Sequence, residues 1–193
     1  MTTATTKYWG LLAAVALLQI GFLAKMVFDR VALIKSGREI ALQVIPIDPR
    51  DVFRGEYVIL GYDISQIPAP IAEDRDDRFA RGQTVYVTLQ QAADGAWTAK
   101  SVSTNYPSEG AASEVVLKGT VRNRVHRDAA GGTAVAVRYG IESYFVPEGA
   151  GKALEQGVRD KKIQALVAVG ADGTPALKGL VIGGERHEDP PML

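Results

Sequence analysis

With 193 residues, the chain is long enough for one domain with a sizeable hydrophobic core. Its 22 basic residues balance its 22 acidic residues, which excludes a general electrostatic attraction to nucleic acid or to anionic lipid. It has no cysteine, which excludes disulfides, thiolate metal sites and cysteine nucleophiles.

An apolar segment at residues 8–28, YWGLLAAVALLQIGFLAKMVF, follows a short tail at residues 1–7. As an α-helix this segment is about 30 Å long, the thickness of the bilayer hydrocarbon. Tyr8 and Trp9 lie where interfacial aromatic residues are found, and Lys25 lies near the other end, within reach of the headgroups. We therefore predict a transmembrane anchor in contact with the lipid bilayer.

The anchor helix is expected to continue to about residue 36 and to stop at Gly37, a suitable C′ residue. A cleaved signal peptide and a buried core helix are the alternatives to a retained anchor, although no small-x-small cleavage site follows the apolar run. The orientation is open as well. Basic residues after the span favour a cytoplasmic C-terminal domain, whereas a short tail before one span is typical of a signal anchor, which exports the domain that follows.

From residue 39 onward, alternating apolar and polar residues predict a mainly β domain of antiparallel strands, barrel-like or sandwich-like. The predicted strands are 39–47, 56–64, 84–91, 97–103, 114–125, 134–141, 143–146, 162–170 and 176–184. The sequences AADG (92–95) and GADG (170–173) are typical of hairpin turns. One short helix is predicted at residues 151–160, and a flexible tail at residues 185–193.

The β region has the pattern of an internal duplication. A glycine and alternating apolar residues recur with the same spacing, as Gly55, Val58, Leu60, Tyr62 and Ile64 and as Gly132, Val135, Val137, Tyr139 and Ile141. We predict two homologous β units, residues 39–105 and 114–184, with a joint at residues 106–113. Chance similarity between alternating strands is the alternative.

Side chains alternate across a strand, so the repeated apolar residues are expected to share one face and to form core. Tyr62 is therefore expected to be a core tyrosine. Tyr57 points to the opposite face, where a core position and a site position are equally compatible with the pattern.

The stretch GEYVILGY (55–62) fits the pattern G-[D/E]-Y-x-x-L-x-Y and resembles the GDYXXLXY family of bacterial membrane-anchored proteins. IDPRDVFR (47–54) and RYGIESYFVPEGAGKALE (138–155) are similar to that family too, and Glu56 keeps the carboxylate of the aspartate in the family name. The resemblance implies a single span in the bacterial inner membrane, a β domain in the periplasm and a multi-pass membrane protein as partner. It implies no catalytic residues.

The candidate binding surface is a polar stretch before and at the head of a predicted strand, formed by Asp48, Arg50, Asp51, Arg54, Glu56 and Tyr57. Arginines bind anionic groups through paired hydrogen bonds, and carboxylates accept hydrogen bonds from a partner. The alternative is a structural turn closed by Asp–Arg pairs. A second patch, related to the first by a pseudo-twofold axis, is predicted from Arg138, Tyr144, Glu148 and Glu155.

Two functions are compatible with these residues. The favoured one is a non-catalytic binding or scaffolding module for a multi-pass membrane protein or a cell-envelope ligand. The other is a membrane-associated hydrolase with a carboxylate pair drawn from Asp48, Asp51 and Glu56 as general acid and base. No cofactor, metal or nucleic acid is expected, since the sequence has no glycine-rich phosphate loop, calcium-loop spacing or basic-aromatic surface.

Overall fold

The computed structural model of the chain has an N-terminal helix followed by a β domain. The described residues are 3–45, 57–68, 79–107, 111, 113–127, 133–145 and 163–188, without the side chains of 3–7, 57–58, 123–127, 133 and 145. The predicted helix at residues 151–160 lies outside the described residues.

One long helix, α1 (Thr3–Ser36), precedes the β domain. Its residues Tyr8–Ser36 form a stretch of 29 residues with the length and hydropathy of a membrane span. The most apolar part of this stretch is not buried inside the protein. Exposed leucine and phenylalanine side chains in such a run favour an apolar solvent over water. The helix is therefore consistent with a single-pass anchor. It begins within the predicted tail and ends at Ser36, as predicted.

Gly37 joins the helix to the first strand. Its N–H donates to the carbonyl oxygen of Leu33 at 2.9 Å, so the helical hydrogen-bond pattern continues to this residue. A Cβ here would lie 2.6 Å from the Leu33 carbonyl oxygen and 3.1 Å from backbone atoms of Val169. The close approach of two backbones therefore requires glycine at this position.

The strands of the described residues form two five-stranded antiparallel sheets and a separate two-stranded pair. They are β1 (Arg38–Ile45), β2 (Tyr57–Ile59), β3 (Gly61–Tyr62), β4 (Gln66–Pro68), β5 (Thr84–Gln91), β6 (Trp97–Ser103), β7 (Glu114–Arg127), β8 (Thr133–Arg138), β9 (Ser143–Phe145), β10 (Ile163–Val169), β11 (Pro175–Ile182) and β12 (Glu185–Glu188). The first sheet has the order β12-β11-β10-β1-β3, the second has the order β4-β8-β7-β5-β6, and β2 pairs with β9.

A single hydrophobic core connects the two sheets. One cluster of buried side chains contains Ile40 and Leu42 of β1 together with Val87 and Leu89 of β5. These residues alternate with more exposed neighbours along each strand, as expected for strands that bury one face. The prediction of a mainly β, antiparallel domain behind one apolar helix is confirmed.

The segment after residue 184 differs from the predicted flexible tail at 185–193. Residues Glu185–Glu188 form β12, which pairs with β11 after a turn at Gly183 and Gly184. All four residues of β12 are exposed at the edge of the first sheet. An edge strand with no buried residue has no alternating apolar pattern, so the sequence carried no signal for it.

The two sheets correspond strand for strand when the predicted units are compared. Strands β11, β10, β1 and β3 of the first sheet have the same order as β6, β5, β7 and β8 of the second. Each sheet therefore combines strands of one predicted unit with the hairpin of the other. The two predicted units interlock and do not form separate domains.

The pairing registers correspond too. Ile45 lies opposite Gly61 between β1 and β3, as the equivalent Thr120 lies opposite Arg138 between β7 and β8. The residue pairs between β2 and β9 are likewise the repeat equivalents of the residue pairs between β8 and β4. These correspondences support the internal duplication, which stays a prediction.

Both hairpins have a β-bulge at the same place, and the extra residue of each bulge is a lysine. Lys178 donates to Glu39 Oε2 at 2.7 Å, and Lys100 donates to Glu114 at the equivalent end of β7. A hydrogen bond from Arg186, and to a smaller extent one from Lys178, lowers the pKa of Glu39. Each ion pair therefore links the bulged hairpin of one unit to a strand of the other.

Candidate functional site

Most of the predicted first surface lies outside the described residues. This applies to Asp48, Arg50, Asp51, Arg54 and Glu56, and in the second patch to Glu148 and Glu155. The hydrolase hypothesis rests on three of these carboxylates, so it stays a prediction.

The remaining predicted residues fall on the β2–β9 pair and on β8 of the second sheet. Tyr57 begins β2, where its backbone lies opposite Phe145 of β9, and Tyr144 lies opposite Val58, the next residue of β2. Arg138 ends β8 and is exposed, whereas Tyr144 is buried. Tyr144 therefore packs in the core, and its place in a binding patch stays a prediction. Alternation along β9 directs it inward, since Ser143 before it is exposed.

Two chain corners meet at the centre of the β domain. The first follows β3 and includes a short 3₁₀ turn, and the second follows β8. Tyr62 Oη donates to the carbonyl oxygen of Ile141 at 2.7 Å, and Tyr139 Oη donates to the carbonyl oxygen of Ile64 at 2.6 Å. These four residues are two equivalent pairs in the predicted repeat, so the corners contact each other reciprocally, as about a twofold axis.

The corner tyrosines are core residues, as expected for Tyr62. Tyr62 is 1 % exposed and Tyr139 is 6 % exposed. Burial, and to a smaller extent the Glu142 carboxylate, raises the pKa of both hydroxyls above the ordinary value. Both tyrosines therefore stay neutral hydrogen-bond donors, and neither has the low pKa that a catalytic phenolate requires.

Glu142 closes the second corner. Its carboxylate accepts hydrogen bonds from the backbone N–H groups of Tyr139 at 2.6 Å and Gly140 at 2.8 Å, and its carbonyl oxygen accepts from the Leu60 N–H at 2.7 Å. Three hydrogen bonds thus hold the side chain and the backbone of this residue at the corner. Glu142 therefore has a structural role that does not depend on a ligand.

A cleft of about 550 Å³ opens beside this second corner. We call it the basic cleft, after its charged lining residues Arg30, Lys118, Arg138 and Glu142. Helix α1, strands β7 and β8, the corner and the turn before β11 all contribute to its walls. The lining has an excess of two positive charges, which favours an anionic group inside it.

The equivalent position beside the first corner has a second cleft of about 770 Å³, lined by Tyr62, Gln43 and Trp97 among others. Its charged lining residues are Asp63 and Asp94, so its charge is opposite to that of the basic cleft. Within the described residues, the two related positions thus have the same strand register and different chemistry.

Sequence reasoning identified Arg138 but missed Arg30 and Lys118. Arg30 was counted only in the charge balance that follows the span, and Lys118 only as part of a strand. The available signal was the difference between the repeated units, where Lys118 and Arg138 correspond to Gln43 and Gly61. Among the described residues, no group of three histidine, aspartate or glutamate side chains has a metal-binding arrangement.

Comparison with known proteins adds one result. The family model described as GDYXXLXY protein matches residues 19–180. No curated protein and no solved structure matches the chain. Of the residues that fit the named motif, Leu60 and Tyr62 are each 1 % exposed and lie at the first corner, so the end of the motif has a role in packing.

Proposed function

The chain belongs to the GDYXXLXY protein family, and on this premise we propose that it is a membrane-anchored β domain that acts as a non-catalytic binding module for a multi-pass membrane protein. The proposal includes a bacterial inner membrane and a periplasmic β domain. The observation that carries it is the direct packing of the anchor helix on the β domain, because such a junction holds the domain at a fixed height above the bilayer.

The junction is built from contacts between α1 and the β10–β11 hairpin. Arg30 Nη1 donates to the carbonyl oxygen of Pro175 at 3.2 Å. Leu33 packs so closely on Gly170 that a Cβ there would lie 3.1 Å from Leu33 Cδ1. Only Gly37 separates the helix from β1. A domain attached in this way meets partners in the plane of the membrane.

The span provides a further contact surface. Leu18 is 74 % exposed and Phe22 is 63 % exposed, and the other large apolar side chains of the span are exposed as well. In a bilayer, this surface contacts lipid or the transmembrane helices of another protein. Partner helices beside the span would bring their extramembrane loops close to the β domain.

Photo-crosslinking in native membranes tests the partner. A photoreactive residue in place of Leu18 should give an adduct with one multi-pass protein, identified by mass spectrometry. Arg54→Ala or Tyr57→Ala should reduce the adduct, since both change the predicted binding surface. The matched controls Arg122→Ala and Tyr106→Ala change exposed residues elsewhere and should leave it intact. Adducts with lipid alone, or equal yields in all variants, would contradict the proposal.

The absence of cysteine makes the orientation testable with single-cysteine variants. Thr98 is exposed on β6, so a cysteine at this position is accessible from the side on which the domain lies. A membrane-impermeant thiol reagent that crosses only the outer membrane should label Thr98→Cys in whole cells. Labelling that requires rupture of the inner membrane would place the domain in the cytoplasm.

A further inference from the structure

We propose that the basic cleft binds a phosphate group presented at the membrane surface, of the kind carried by anionic phospholipid headgroups. The proposal goes beyond the binding of a protein partner, and it requires only that the domain is anchored. It rests on the depth of the cleft relative to the span, on the geometry of its cations, and on the contrast with the second cleft.

The cleft lies at headgroup depth. Arg30, which lines it, follows the predicted span 8–28 by two residues, or about 3 Å of helix. The same side chain donates to the carbonyl oxygen of Pro175, so the cleft is fixed to the helix at this level. The polar headgroup region begins where the hydrocarbon ends. A phospholipid beside α1 therefore has its phosphate close to the mouth of the cleft.

Lys118 and Arg138 are placed to hold one anion together. Thr120 lies opposite Arg138, and Lys118 is two residues before Thr120, so the two cations are diagonal neighbours on one face of the sheet. Their backbones are about 7–8 Å apart in such a pair, close enough for both long side chains to reach one phosphate. An arginine fork and a lysine ammonium are the side chains that commonly bind phosphate.

Among the described residues, the nearby carboxylates form no ion pair with these two cations. Within the described residues, no carboxylate lies at ion-pair distance from Lys118 or Arg138. Glu142 is held by backbone N–H groups, and Asp172, which interacts with Lys118 at longer range, is bonded to Thr174. The positive charges of Lys118 and Arg138 are therefore available to a ligand.

Lys118 and Arg138 are not required by the strand pairing. The equivalent positions of the first corner have Gln43 and Gly61 with the same strand register. The second cleft has aspartates in its lining, yet its corner makes the same tyrosine hydrogen bond. The shared strand register therefore does not require the positive charge of the basic cleft, and a ligand is a physical reason for that charge.

Lipid binding by the full-length protein in mild detergent tests this site. Native mass spectrometry would compare phosphatidylglycerol with phosphatidylcholine of the same acyl chains. We expect phosphatidylglycerol to bind more tightly, and Lys118→Gln/Arg138→Gln to weaken its binding about 10- to 30-fold, as expected for the loss of two cations at an anionic headgroup. The matched control Lys100→Gln/Lys178→Gln removes two charges outside the cleft and should bind like wild type.

Soluble glycerol phosphate distinguishes the source of the phosphate. If it does not displace phosphatidylglycerol, the ligand is a lipid headgroup. If it does so in wild type and not in the cleft variant, the site accepts a water-soluble phosphate ester. Circular dichroism of each variant verifies folding. The proposal is overturned if the folded cleft variant binds phosphatidylglycerol like wild type, or if wild type binds both lipids equally.

Discussion

The reciprocal contact between the two corners should contribute measurably to stability. Tyr62→Phe removes only the hydroxyl that donates to the Ile141 carbonyl oxygen at 2.7 Å, and Tyr139→Phe removes the one that donates to Ile64 at 2.6 Å. Both substitutions keep the ring, so the packing of the core is retained. What changes is that a carbonyl oxygen at each corner loses its tyrosine donor.

A buried polar group that loses its partner costs about 1–3 kcal/mol. For a chain of this size, each kcal/mol lowers the melting temperature by about 2–4 °C, so each variant should melt roughly 2–12 °C lower than wild type. The two losses should be less than additive. Each bond holds the same two corners together, so the second loss occurs at a contact that the first has already loosened.

Thermal unfolding of the full-length protein in detergent, followed by the circular dichroism of the β-sheets, measures this effect. Tyr86→Phe is a suitable control, because Tyr86 is only half-buried and makes an edge contact with the ring of Tyr106 at 5.4 Å. That variant should melt within about 1–2 °C of wild type, as surface substitutions usually do. If Tyr62→Phe and Tyr139→Phe also melt there, the corner contact does not stabilise the fold and the reasoning is wrong.

Alkaline pH should weaken the same contact. Burial raises the pKa of Tyr62 and Tyr139 in the folded state, so the unfolded state loses their protons first; stability is complete below about pH 10 and falls above it by up to about 1.4 kcal/mol per tyrosine per pH unit. Denaturant titrations on both sides of that pH should give this loss in wild type and a smaller one in the double phenylalanine variant; equal losses would contradict it. Gly95→Ala and Gly173→Ala both place alanine at a positive φ, at a cost of about 1–2 kcal/mol. A Cβ at Gly173 also lies 3.1 Å from a backbone oxygen, while nothing is within 4 Å at Gly95, so Gly173→Ala should have the lower melting temperature of the two. Gly119→Ala places a methyl group 2.4 Å from a side-chain carbon of Val137 and 3.1 Å from the Tyr139 ring, so overpacking should cost about 1–3 kcal/mol; unchanged thermal unfolding would exclude that clash.

The elements of this protein were largely predictable because their signals are local. The N-terminal helix contains a continuous apolar run, and the hairpins at residues 92–95 and 170–173 have Asp-Gly turns between alternating strands. The burial of Tyr62 followed from alternation within one strand. β12 was missed, since a fully exposed edge strand has no such alternation.

The candidate site was predictable only in part. Arg138 was selected by its place in the second unit, and it lines the basic cleft. Arg30 and Lys118 were not selected, because nothing near them in the sequence indicates that they meet. Arg30 and its acceptor Pro175 are 145 positions apart. Tyr144 of the predicted second patch is buried, as the alternation along β9 explains, and its role in binding stays a prediction.

By itself, the sequence determined the class of this protein: one long apolar helix, a β domain without cysteine, and a repeated pattern that contains a tyrosine. Hydropathy, alternation and turn chemistry are properties of neighbouring residues, and they can be read without knowing the partners of each strand. Only the tertiary structure decided that the two units interlock, that Tyr62 and Tyr139 join the corners, and that three cations surround one cleft. These features depend on which distant strands pair and in which register, and that choice is made by burial of the whole core at once.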